Sequence, residues 1–140
     1  MKPPDAEVAR KVKQWLAYGD EDLRLAQHGL SLSIAPPYRL IAYHAQQCAE
    51  KHLKAYLVFQ AIDFPYTHNL SRLLELCAAK ASWVEQLQDA EELSPYAITT
   101  RYPGEDEEVC EDEARRAVEI AARVRSGVRE ALAEEGFEVP

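Results

Sequence analysis

Apolar residues along this chain recur at intervals of three and four, without a sustained two-residue alternation between turn signals, so the pattern predicts helices and no sheet. Val8, Val12, Trp15, Leu16, Leu23, Ala26 and Leu30 mark a first helix from about Asp5, its N-cap, to His28. Gly29, Ser31, Ser33, Pro36 and Pro37 interrupt the pattern, and a second helix follows from about Pro37 to Ala61. A third, capped by Thr67 and running to about Ala79, carries the stripe Leu70, Leu73, Leu74 and Cys77. Ser82-Trp83-Val84-Glu85 reads as a capping box for a shorter helix over about Trp83 to Leu93, with Pro95 bending the chain beyond it. Ala114, Ala117, Val118, Ala121, Val124, Val128 and Leu132 define the last, from about Val109 to Glu135. The expected class is all-α: an up-and-down helical bundle of four long helices plus a shorter irregular one.

Composition narrows the function classes. At 140 residues and 47% hydrophobic content the chain suits one core, so residues 1–140 are expected to form a single domain. A formal charge of -8 and a pI near 5.0 argue against general electrostatic binding to nucleic acid or an anionic membrane. Met1-Lys2-Pro3-Pro4-Asp5 has no apolar signal core behind it, and no run approaches the roughly 20 apolar residues that cross a bilayer. A cytoplasmic location is expected. Cys48, Cys77 and Cys110 are far apart and read as buried free thiols; His44 and Cys48 share a helix side, but no second pair completes a metal site. Neither metal nor cofactor is expected.

The segment from Tyr43 to Lys54 holds most of the candidate chemistry. At about 100° per residue, Ile41, Ala45, Cys48, Ala49, Tyr56 and Phe59 gather on one side of the helix, and His44, Gln47, Lys51 and Lys54 on the other. That polar ridge reads as a solvated face, as a surface for a second copy or another partner, or as a nucleotide contact. In the last case the lysines meet phosphate as point charges while His44 or Gln47 orients the ligand. Glu50 reads as surface charge balance for Lys51. His68 reads as a hydrogen-bonding residue at the start of the third helix, or as a ligand contact. Arg101 and Tyr102, before the Pro103-Gly104 turn, are candidates for structural pairing or for partner or nucleotide contact. The acidic run Glu105 to Glu108 reads as a solvated helix entrance rather than a metal cluster.

With Trp15, Ala17 and Asp22-Leu23 in the first helix, Tyr43-His44-Ala45-Gln46-Gln47-Cys48-Ala49-Glu50-Lys51-His52-Leu53-Lys54-Ala55 in the second, Thr67-His68-Asn69-Leu70 opening the third and Thr100-Arg101-Tyr102-Pro103-Gly104 before the last, the chain resembles small prokaryotic members of the HEPN family, the higher eukaryotes and prokaryotes nucleotide-binding domain. The resemblance spans about Val8 to Val128, and its most specific part is the Gln-Gln-x-x-Glu-Lys core. It implies a helical bundle, a homodimer, and a minimal nucleotidyltransferase as functional partner.

Many members resemble metal-independent ribonucleases in which four to six residues stand between an arginine and the histidine that follows it. After Arg101 the matching positions hold Asp106, Glu107 and Glu108, and no histidine follows His68. A histidine would move the proton and the arginine would stabilise phosphoryl charge, whereas carboxylates repel the substrate. Arg39 and His44 fit the spacing literally, but five residues on one helix separate them by about 140°. The resemblance therefore implies a binding or regulatory protein without catalysis, with a divergent ribonuclease toxin of a toxin–antitoxin pair as the alternative.

Overall fold

The structure is a computed structural model that describes residues 4–97 and 108–140. Helix α1, Ala6–Leu30, begins where Asp5 Oδ1 accepts the Val8 amide at 2.8 Å, satisfying one of the free donors of the first turn. Helix α2, Tyr38–Phe59, returns antiparallel: Gly29 packs on Ile41, Asp22 faces His44 and Lys51, and Gly19 faces His52. Helix α4, Glu111–Glu134, lies parallel to α2, tied to it by Tyr38 to Glu111 at one end and Gln60 to Glu135 at the other. Among the described residues there is no strand, so the all-α bundle expected from the periodicity is the architecture found.

Two elements differ from their sequence expectation. Helix α3 spans Leu70–Ala78, nine residues, rather than a long helix from Thr67. Asn69 is its cap, accepting the Arg72 amide, while Thr67 Oγ1 instead takes the Asn69 amide in the preceding turn. The segment expected as one short helix is a 3₁₀ run over Ser82–Ala97, broken at Leu87, where φ is -111° and ψ 15°. Long 3₁₀ runs are intrinsically weak, and this one is held from outside. Arg116 clamps Glu92 through two bonds of 2.8 Å, Arg123 reaches Asp89 at 2.5 Å, and Ser94 Oγ accepts the Leu70 amide.

Helix α2 is the axis of the bundle, in contact with α1, α3, α4 and the 3₁₀ segment. Its apolar residues join Val12, Leu16, Leu73, Leu93, Val124 and Leu132 in one buried cluster. Cys48 and Cys77 belong to it; burial pushes the Cys77 thiol up to about 12 and raises that of Cys48 further. Cys110 departs from the expected buried thiol. It is exposed because it precedes α4 as its N-cap residue instead of facing the core. No helix among the described residues is long and apolar enough to cross a membrane.

Candidate functional site

Enclosure of α2 changes the meaning of its polar ridge. The sequence expectation of an outward ridge of His44, Gln47, Lys51 and Lys54 is corrected: Gln47 and Lys54 are buried, and His44 and Lys51 are only partly exposed. The reason is geometric. With neighbours on several sides, little of the helix circumference remains for solvent, so the long polar side chains must find partners inside.

One buried network runs along α2 itself. Gln47 Nε2 donates to Gln46 Oε1 at 2.6 Å, Gln46 Nε2 donates to Glu50 Oε1 at 3.0 Å, and Lys54 Nζ donates to Glu50 Oε2 at 3.0 Å. His68 completes it, its Nδ1 standing 2.8 Å from Glu50 Oε1 and its carbonyl accepting from Gln46 Nε2. Glu50 is thus the counter-ion of a buried lysine, correcting its reading as surface charge balance for Lys51. The Lys54 ammonium lies 5.5 Å from the Trp15 ring centre, 5.7 Å from Phe64 and 5.9 Å from Tyr66, so aromatic faces replace part of the water it lacks. Lys54 is committed to this interior arrangement and is removed from the exposed candidates.

The second cluster sits at the α1–α2 edge. Asp22, nearly buried, accepts from His44 Nδ1 at 2.8 Å and from Lys51 Nζ at 2.5 Å. A carboxylate only accepts, so Nδ1 carries the hydrogen and Nε2 is the nitrogen left for another contact. His44 and Lys51 each keep about a quarter of their side-chain surface, 26% and 22%. Among the described residues, the exposed large hydrophobic side chains are Tyr18 and Leu25 on α1, Leu32 and Ile34 in the connecting turn, Leu40 on α2, and, away from this hairpin, Tyr66. Arg101 and Tyr102, like Glu105 to Glu107 of the acidic run, lie outside the described residues.

A third cluster, which sequence reasoning missed, locks three helices. Asp20 of α1 receives Arg125 Nε of α4 at 2.6 Å and faces Arg129 Nη1 at 3.5 Å. The fully buried His52 of α2 donates from Nδ1 to the Cys48 carbonyl, and its Nε2 stands 3.3 Å from Asp20 Oδ1 without meeting hydrogen-bond geometry. Partial burial works to raise the Asp20 pKa, but His52 and Arg125 outweigh it and hold the carboxyl well below the usual carboxylate range. A lowered folded-state pKa contributes stability above the unfolded value, and that contribution is lost as pH falls toward the folded one. Acid unfolding of Asp20→Asn is therefore expected to show a shallower loss of stability below pH about 4 than the parent chain. Denaturant titrations from pH about 5 down to about 2 measure this, and parallel stability curves would remove Asp20 from the acid response.

No three histidine, cysteine, aspartate or glutamate side chains among the described residues are grouped to hold a metal ion. At the α1–α2 edge one oriented imidazole and one ammonium share a single carboxylate.

The model of the HEPN domain matches residues 12–131. Two solved structures resemble the chain along most of its length. TT1696 from Thermus thermophilus is 27% identical with a TM-score of 0.66, and ST0689, an archaeal HEPN homologue, is 26% identical with a TM-score of 0.67. Each likeness covers 86% of this chain and 97% of the other. Among curated proteins no match is found.

Proposed function

Since the chain belongs to the HEPN domain family, we propose that it is a non-catalytic binding or regulatory protein, a homodimer that partners a minimal nucleotidyltransferase and contacts nucleotide through His44 and Lys51. The observation that carries this reading is the edge between α1 and α2. It combines exposed apolar side chains, which favour protein association, with an imidazole nitrogen and an ammonium that suit phosphate or a polar nucleotide edge. Gln47, now turned inward, acts by holding Gln46 instead of touching ligand. His68 keeps an exposed ring beside Tyr66 and stays a candidate contact for the partner.

Two measurements test the proposal. Light scattering of the full chain is expected to give twice the monomer mass, and Leu25→Glu, which places a charge in the apolar surface, is expected to give the monomer. Calorimetric titration with ATP is expected to show saturable binding that weakens roughly tenfold in Lys51→Ala, since a phosphate contact loses its point charge. A monomeric parent chain would end the dimer reading. ATP heats unchanged by Lys51→Ala, or absent altogether, would end the nucleotide reading.

A further inference from the structure

Between α4 and the 3₁₀ segment lies a groove of about 490 Å³, on different elements from the α1–α2 edge. Trp83 and Leu87 form one wall, and Gly127 and Ala131 of α4 contribute to the other. A Cβ on Gly127 would stand 3.4 Å from Trp83 Cζ3 and 3.3 Å from Leu87 Cδ1, so the glycine brings the helix backbone close under both side chains. Tyr56 meets the indole edge-on, with ring centres 5.1 Å apart. The ring is therefore fixed on two sides while it still lines open space.

The charges around this aromatic wall are unbalanced. Arg123 is committed to Asp89, whereas Glu130 and Glu134, one turn apart along the same lining, have no hydrogen-bond or ion-pair partner among the described residues. A guanidinium matches both features: its flat face stacks on indole, and its forked donors pair with carboxylate. A net charge of -8 attracts a basic partner over distance and disfavours seating a second copy of this acidic chain at a glutamate-rimmed groove. We propose that this groove docks an arginine side chain presented by a basic segment of a partner protein.

The probe is a blocked peptide of alternating leucine and arginine, added to the isotopically labelled full chain and followed by amide and indole nuclear magnetic resonance. Saturable shifts are expected at the Trp83 indole N–H and the Gly127 amide. Glu130→Gln with Glu134→Gln, both exposed substitutions, is expected to weaken binding about tenfold, the order of a lost charge-assisted contact. A leucine–glutamate peptide is expected to leave both signals in place. Absence of saturation, an equal response to the glutamate peptide, or unchanged affinity in the double variant would overturn the proposal. So would shifts at these two signals on diluting the chain alone, which would put a second copy in the groove.

Discussion

Glu50→Gln is expected to cost about 3–5 kcal/mol of folding stability, the largest loss from any single polar substitution described above. Glu50 retains only 4% of its side-chain surface and serves three donors, Gln46, His68 and Lys54. Glutamine keeps the shape but removes the negative charge, and its amide group turns a donor toward one of those donors. Lys54 is then left with its ammonium buried among Trp15, Phe64 and Tyr66 and no counter-ion. The cation–π contacts, about 0.5–2 kcal/mol, do not replace a full opposite charge. Removing both charges in Glu50→Gln with Lys54→Met is expected to recover much of the loss, since methionine fills the space without needing water. Urea unfolding of the two single variants and the double variant measures the coupling. Equal midpoints for the parent and Glu50→Gln would mean that water reaches the pair and that the enclosure described is open.

Gly19→Ala is expected to cost about 2 kcal/mol, although alanine is the better helix former by about 1 kcal/mol. The added Cβ would stand 2.6 Å from His52 Nδ1 and 2.7 Å from its Cε1, with the Cys48 carbonyl 3.3 Å away. The imidazole has no free space to enter, because His52 is fully buried. Moving it breaks the 2.8 Å bond from Nδ1 to the Cys48 carbonyl, worth about 1 kcal/mol, and separates α1 from α2 beside the Asp20–Arg125 bond that ties α1 to α4. Thermal unfolding should show a lower midpoint with the helical signal retained at low temperature. A midpoint at or above that of the parent would show that helix propensity wins and that the ring yields easily.

The architecture was legible because burial in a helix leaves a period. The stripes from Ala114 to Leu132 and from Leu70 to Cys77 are core residues in the structure, and α1, α2 and α4 begin and end within a few residues of their expected bounds. The 3₁₀ run was not legible as such, since its geometry is imposed by Arg116 and Arg123 from a distant part of the chain. The polar ridge misled for a related reason. A helical wheel separates apolar from polar residues, but it assumes that one side faces water, and α2 is enclosed by its neighbours.

Better signals were present. Gln46, Glu50 and Lys54 are spaced by four, which lines up a donor, an acceptor and a cation along one row of a helix. Asp22 falls among Gly19, Leu23 and Ala26 on the buried side of α1, and a carboxylate in such company demands a partner. His52 lies similarly among core residues. What no local pattern could supply was the identity of those partners, because His44 and Lys51 reach Asp22 from α2 and Asp20 faces His52 from α1.

An enclosed central rod has an evolutionary side. A substitution at Gln46, Glu50 or His52 alters recognition only by endangering the fold, so selection for new partners would have little freedom there. Variation can accumulate more cheaply at Tyr18, Leu25, Leu32, Ile34 and Leu40, whose side chains project from the scaffold without supporting it. Relatives of this chain should accordingly diverge first along that outer margin, trading specificities while the interior lattice of carboxylates and cations stays the same.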